Sequence, residues 1–341
     1  MPEAAASPRR PIAVTMGDPA GVGPEMAARA WEARRDHDLP PFVAVGDIAA
    51  IEAVWHGPIA RVGDMDEVAP ASAARLPVWH LEDSGPLTPG QPTPAGATCA
   101  LHALETGIGL TRTQASAALV TGPVSKHALH GIGYTHPGQT EFIAERCGVT
   151  ATNAVMMLAG PTLRVVPLTV HVRLADVPDR LTCELIVAKA RIVARGLKRD
   201  FGIAAPRLAI AGLNPHAGES GQLGDEEIRV IAPAVAQLAD EGLVIDGPLA
   251  ADALFAPDIR RRYDALLCPY HDQALAPFKA LHFHDGVNLT LGLPIIRTSP
   301  DHGTAFNIAG TGQGDPGPTI AAIRLAATLA AVRERSCALP K

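Results

Sequence analysis

Aromatic residues are scarce: Phe, Trp and Tyr make up 4% of the 341 residues, so aliphatic side chains have to build the core. Lysine is scarcer still. Of 29 basic residues only Lys126, Lys189, Lys198, Lys279 and Lys341 are lysines, which makes each one noticeable. Positive charge is in deficit, with 29 Lys+Arg against 35 Asp+Glu and a formal net charge of −6. That balance excludes a nucleic-acid partner drawn in by a strong positive field, while a small anionic substrate needs only a local basic pocket. The five cysteines, Cys99, Cys147, Cys183, Cys268 and Cys337, are odd in number, widely spaced and without a C-x-x-C. They exclude a disulfide framework and read as small buried hydrophobes in a reducing compartment. No run of 18 apolar residues occurs, so no membrane partner is expected. Met1–Pro11 has no apolar stretch of the signal-peptide kind, which points to a cytoplasmic protein.

What the chain does have is 32 Gly and 31 Pro, spread along its length as turn signals between short elements. The length itself suggests two domains. After a short disordered lead, Pro11–Met16 is a buried strand, Gly17-Asp18-Pro19 a turn, and Pro24-Glu25 the opening of a helix through about Arg35. Pro41–Gly46 is the next strand and Ile48–Trp55 the next helix. These apolar runs are continuous rather than alternating, which predicts a parallel sheet covered on both faces. The proline-rich stretch Arg61–Thr98 holds a strand at Leu76–Leu81 and a long loop. A helix at Thr98–Leu110 and a strand at Ala117–Val120 lead into Thr121–Lys126 (TGPVSK). Further strands are expected near Ala154–Leu158, Leu163–Val170, Arg207–Ala211 and Ala265–Leu267, and helices near Thr140–Arg146, Thr182–Gly196 and Asp225–Glu241. A Gly-rich loop, Gly310 to Pro318, precedes a closing helix from Thr319 to about Glu334. Alternation of this kind makes an α/β fold.

The most informative pattern is positional. Three apolar runs each stop near a histidine: Leu168-Thr169-Val170 at His171, Leu208–Gly212 at His216, and Leu266–Tyr270 at His271, with Asp272 next to it. In a parallel α/β sheet these spacings are one or two βα units, so all three imidazoles can share one carboxyl edge, where open α/β sheets bind ligands. Converging there they form a metal site with an open coordination position. Any single histidine of the 13 is more often a surface or hydrogen-bonded core residue than a ligand; the shared placement singles these out.

Two glycine-rich stretches, Gly17–Pro24 and Gly310–Gly314, imitate nucleotide loops. The first fits neither the G-x-G-x-x-G nor the Walker pattern and reads as a tight turn, and the second is not followed at once by a helix. Lys126, Lys279 and Arg297 are cations in otherwise uncharged loops or strand ends, where two or more converging would suit a phosphate or carboxylate. The alternative, a solvated surface charge, is weakest for Arg297, inside Leu289–Thr298 (LTLGLPIIRT).

Met16–Glu25 (MGDPAGVGPE), Thr121–Lys126, Gly212–Glu219 (GLNPHAGE), Tyr270–Gln273 (YHDQ) and Val287–Gly303 (VNLTLGLPIIRTSPDHG) together resemble the 4-hydroxythreonine-4-phosphate dehydrogenase family, in one order over nearly the whole chain. The resemblance implies NAD- or NADP-dependent oxidation of 4-phosphooxy-L-threonine at C3. Decarboxylation to 3-amino-2-oxopropyl phosphate follows, in the pyridoxal phosphate pathway. It implies one divalent metal, zinc, magnesium or cobalt, on His171, His216 and His271, in a homodimer whose metal site is shared across the subunit interface. Substrate contacts fall on Gln139, Thr140, Lys279, Asn288 and Arg297, with Lys279 and Asp272 as candidate catalytic groups. Asp301–Gly310 (DHGTAFNIAG) also resembles the histidine-glycine loop of isocitrate and isopropylmalate dehydrogenases. It assigns His302, Gly303, Thr304, Ala305 and Asn307 to the cofactor. It implies two α/β/α lobes with a cleft between them: residues 1–125 plus 300–341 carrying the cofactor loop, and 126–299 carrying the metal ligands and dimer interface.

One position departs from the family pattern: Gln139 stands where Gly-His-Thr-Glu would place histidine, and glutamine carries neither charge nor a titratable proton. This leaves open a relative acting on 4-phosphothreonate, 4-phosphoerythronate or a cyclic dihydrodiol dicarboxylate. The three histidines alone would also fit a non-redox metal-dependent hydrolase.

Overall fold

A computed structural model describes residues 9–82 and 84–338, with the side chains of Cys337 and Ala338 outside it. The expected disordered lead up to residue 8 and the burial of Cys337 therefore lie outside the described residues. Twelve strands occur among the described residues: β1 Ile12–Thr15, β2 Phe42–Gly46, β3 Ile59–Val62, β4 Leu76–His80, β5 Ala118–Thr121, β6 Val155–Ala159, β7 Arg164–Pro167, β8 Arg207–Ala211, β9 Val244–Leu249, β10 Ala265–Cys268, β11 Val287–Leu291 and β12 Arg297–Pro300. The chain divides into two units, Met1–Ala151 with Leu293–Lys341, and Thr152–Gly292.

In the first unit the strand order is β3-β4-β2-β1-β5-β12, and every neighbouring pair is parallel. Ile12 stands opposite both Phe42 and Ala118. β1, β2 and β5 are buried at every position, which is why their sequences run apolar without alternation. The helix Pro94–Arg112 covers β1, β2 and β5, and Gly317–Ala338 covers β12, β5 and β1. Pro94–Arg112 begins before the expected Thr98, because Thr93 caps it by accepting from the Gly96 N–H at 3.0 Å and Pro94 fills its first turn.

The units divide at 151/152 and 292/293, where the sequence suggests 125/126 and 299/300. The reason is packing. The helices Lys126–Gly131 and Gln139–Arg146 stay with the first unit, tied by Arg146 Nε to Glu105 Oε1 at 2.7 Å and Gln139 Nε2 to the Gly122 carbonyl at 3.1 Å. β12 pairs with β5. Lys126, Gln139, Thr140 and Arg297 thus belong to the first unit.

In the second unit the order is β11-β6-β7-β10-β8-β9. β7, β10, β8 and β9 run parallel, but β6 is antiparallel to both β7 and β11, which corrects the all-parallel expectation. The Gly160–Leu163 turn joins β6 to β7 directly, and so short a connection permits only antiparallel pairing. The helix Cys183–Phe201 is capped by Thr182, which accepts from the Leu185 N–H at 3.2 Å, and stops at Gly202 in the left-handed conformation (φ 71°). Phe278, Leu266, Ala209, Val165 and Leu158 are among the buried core of this second unit. No described helix is long and apolar enough to cross a membrane. Cys99 and Cys268 are buried and Cys147 and Cys183 half-buried, with no disulfide among them.

Candidate active site

β10 lies between β7 and β8, so His171, His216 and His271 follow the carboxyl ends of three adjacent parallel strands. The approach to His171 is fastened to the approach to His271. Leu168 N–H donates to the Cys268 carbonyl at 2.7 Å, and the Thr169 hydroxyl donates to the Pro269 carbonyl at 2.8 Å. The two imidazole rings stand 6.0 Å apart, centre to centre. His271 Nδ1 is 2.7 Å from Asp272 Oδ1. A carboxylate only accepts, so Nδ1 carries a proton, and in the neutral ring this leaves the lone pair on Nε2, the tautomer a metal requires. His216 opens a run of five left-handed residues, His216 to Ser220, with φ of 52°, 52°, 81°, 46° and 58°. Four of them carry a side chain, at a cost of about 1–2 kcal/mol each. Among the described residues of one chain, no three His, Cys, Asp or Glu side chains stand close enough to hold a metal ion. The fold gathers the histidines on one edge, pairs His171 with His271, and does not close the trio within a single chain.

Other candidates of this unit are Lys279, in the last turn of the helix His271–Leu281, and Asn288 on β11. The Asn288 Oδ1 is buried and accepts nothing from the protein. Gln273 has the same character: its Nε2 donates to the Gly212 carbonyl at 2.8 Å, while its buried Oε1 is left without a donor. The YHDQ motif was noted in the sequence for its His and Asp alone; Gln273, two residues after His271, carried no signal of its burial.

In the first unit, Arg297 opens β12 and its side chain reaches the carboxyl end of β5 at Thr121. Arg297 is 4% exposed, and its Nε and Nη2 donate to Thr121 Oγ1 at 3.1 and 2.8 Å. Burial pushes its pKa down to about 10, against the pull of Glu141 and Tyr134, so it keeps its charge at neutral pH. This answers the doubt over surface charge for Arg297, whereas Lys126 is exposed. Gln139 and Thr140 open the helix Gln139–Arg146, whose positive end suits an anion. With Nε2 committed to Gly122, the buried Gln139 Oε1 has no donor.

The glycines of Met16–Glu25 answer to sterics. A Cβ on Gly23 would lie 1.7 Å from the Met16 carbonyl oxygen, and one on Gly17 2.1 Å from that of Pro123. Backbone touches backbone here, the tight turn the sequence suggests. Asp18, which sequence reasoning passed over, is 2% exposed and accepts from the Ala20 N–H at 3.1 Å; burial raises its pKa. The loop carrying His302, Gly303, Thr304, Ala305 and Asn307 docks on this turn through Val22 N–H to the Thr304 carbonyl, 2.9 Å. His302 Nδ1 lies 3.0 Å from the Gly303 carbonyl, leaving a buried Nε2 without a partner, and a Cβ on Gly303 would meet open space.

Carboxyl edges furnished with imidazoles, a buried arginine and unsatisfied amide oxygens define an α/β enzyme acting on a small anionic ligand. Comparison with known proteins narrows this. Residues 39–326 match the family described as "Pyridoxal phosphate biosynthetic protein PdxA". A 4-hydroxythreonine-4-phosphate dehydrogenase of Zymomonas mobilis is 52% identical over 325 residues, covering 95% of this chain and 97% of the relative. That of Erythrobacter litoralis is 51% identical over 331 residues, with 96% and 98% covered. The crystal structure of 4-hydroxythreonine-4-phosphate dehydrogenase from Klebsiella pneumoniae matches with a TM-score of 0.85 at 36% identity, covering 94% of this chain and 99% of that one. The chain belongs to the PdxA family of pyridoxal phosphate biosynthetic proteins, and it is an oxidoreductase. The non-redox hydrolase reading falls with that membership.

Proposed function

We propose that this chain oxidises 4-phosphooxy-L-threonine at C3 with NAD or NADP. The resulting β-keto acid loses CO2 to give 3-amino-2-oxopropyl phosphate, in the cytoplasm. The observation that carries this reading is the edge of β7, β10 and β8, where three imidazoles follow adjacent strands and Asp272 fixes the tautomer of His271. Nitrogen donors of this kind suit zinc or cobalt better than magnesium. When bound, a divalent cation would polarise the C3 hydroxyl and stabilise the negative charge that develops as CO2 leaves. The nicotinamide supplies the hydride acceptor.

The chain's own residues do the rest. Arg297, desolvated and pinned to Thr121, is a fixed cation for a phosphate or carboxylate oxygen, and Lys279 is a second one. The Oε1 of Gln139 and Oδ1 of Asn288 are buried acceptors that a hydroxyl or ammonium group would satisfy. Thr140 sits at a helix start, where an anion is favoured. Asp272 holds the proton on His271 Nδ1, and Lys279 is the candidate for moving a proton during turnover. His302, Gly303, Thr304, Ala305 and Asn307 form the loop for the cofactor, where the unpartnered His302 Nε2 offers a hydrogen bond.

The working form is a homodimer with the trio completed between two copies. Two observations support this: the histidines do not close within one chain, and Leu174, Leu223, Ile228, Val244, Leu281 and Phe283, large apolar side chains left exposed, all belong to the second unit.

Rescue of a pyridoxine auxotroph tests the reading. Growth without pyridoxine on expression of this chain is expected. Failure to rescue, with turnover of 4-phosphothreonate or 4-phosphoerythronate by the pure protein, would overturn it in favour of the second substrate reading, which Gln139 motivates.

A further inference from the structure

GLNPHAGE continues as Ser220-Gly221-Gln222-Leu223-Gly224-Asp225-Glu226-Glu227, and the function above uses only its histidine. The remaining residues form one device. Glu227 is a carboxylate only 2% exposed, at the start of a π-helical turn, Glu227–Ile231. Such turns are rare, and frequent at functional sites. Its Oε1 accepts from the Asn214 backbone N–H at 2.7 Å, and its Oε2 from Asn214 Nδ2 at 2.9 Å. The same amide donates to Glu226 Oε2 at 2.7 Å. Asn214 leads straight into the left-handed run that begins at His216.

The glycines of the motif fit around this carboxylate. A Cβ on Gly218 would lie 2.7 Å from Glu227 Oε2 and 2.8 Å from the Gly224 carbonyl oxygen. One on Gly212 would lie 3.1 Å from Glu227 Oε1, and one on Gly224 2.3 Å from Asn214 Nδ2. The loop is thus wrapped on Glu227, at both its entry, Asn214, and its middle, Gly218. A run of side-chain-bearing residues in left-handed conformation persists only where its surroundings over-determine it, and Glu227 is the group that does so here.

We propose that Glu227 is the positioning residue of His216: it holds the left-handed loop so that the imidazole meets the cation with His171 and His271. This rests on the metal role given to His216 above. Glu227 does not touch the metal; it acts through Asn214 and the loop backbone. Groups that orient a metal ligand without touching the metal typically change its affinity by about 10–100-fold when altered.

The experiment is zinc binding by the full-length protein, stripped of metal and titrated against a chromophoric chelator, with thermal melting of each metal-free variant alongside. Glu227→Gln keeps the shape but replaces an acceptor oxygen with a donor facing Asn214. It should weaken zinc binding by about 10–100-fold, while activity returns at saturating zinc. Glu227→Asp keeps the charge, should bind with intermediate affinity, and serves as the probe if the glutamine variant fails to fold. A merely structural role would lower the melting temperature without moving the zinc affinity of folded protein. Wild-type affinity in a folded variant overturns the inference alone, whereas wild-type protein that takes up no zinc overturns the metal reading and this inference with it.

Discussion

A buried and a half-buried cation show what single residues contribute. Arg297 reaches Thr121 Oγ1 with two nitrogens and keeps its charge without water; in the anion-binding role proposed for it, what it would supply is a planar fork already in place. Arg297→Lys retains the charge but loses that fork, and steady-state kinetics should show KM for the phosphorylated substrate rising by about tenfold or more. An unchanged KM would remove Arg297 from the binding site. Lys189 donates to the Leu168 carbonyl at 2.8 Å, just ahead of His171, and burial pushes its pKa down to about 8 from 10.5. Between those values the unfolded chain holds more protons than the folded one, so stability from this site rises as pH climbs through about 8 to 10.5. The change in urea midpoint between pH 7.5 and pH 10 should be more favourable in the wild type than in Lys189→Met, since the other titrating groups are common to both; an equal change in both would contradict the assignment. Arg297 was legible in the sequence because a charge inside LTLGLPIIRT is out of place. Gln273 and Asp18 were not, since a polar residue beside a motif looks the same whether it is solvated or buried.

Elements explain why some segments could be read and others could not. Continuous apolar runs announced β1, β2 and β5 to within a residue or two, because strands buried on both faces leave no polar positions. The same continuity hid the antiparallel β6, as an apolar strand buried at all but one position reads alike in either direction. β9 escaped notice because it lies at the edge of its sheet and is buried at one position only. The helix His271–Leu281 contains Pro277, a signal that argues against helix. The glycine-rich turn after β1 was correctly set apart from a phosphate loop, and its sterics give a sharp test. Gly23→Ala would drive a methyl group into the Met16 carbonyl, at a cost of about 3 kcal/mol or more. Chemical denaturation should show that loss, and wild-type stability would mean the turn has room the structure does not show.

At the scale of the whole molecule, the α/β class and the shared edge of the three histidines followed from spacing alone. The division between units did not, because Lys126–Ala151 is held to the first unit by side-chain contacts such as Arg146 with Glu105 that no periodicity reveals. The exposed apolar side chains of the second unit bear on assembly. Phe283 is 71% exposed, an unusual position for so large an apolar group in a chain so poor in aromatics. Phe283→Asp should shift the protein from dimer to monomer in light scattering and weaken zinc binding in parallel. A monomeric variant with undiminished zinc affinity would show that one chain holds the metal by itself.

The proposed reaction is metal-dependent oxidation followed by decarboxylation at this histidine edge. Its most direct test measures NADH or NADPH and CO2 together, with 4-phosphooxy-L-threonine as substrate, before chelation, after it, and after zinc or cobalt is restored. One CO2 for each reduced nicotinamide, lost on chelation and recovered with metal, is the expected result. Reduced nicotinamide formed at full rate by metal-free protein, or none formed under any condition, would contradict it.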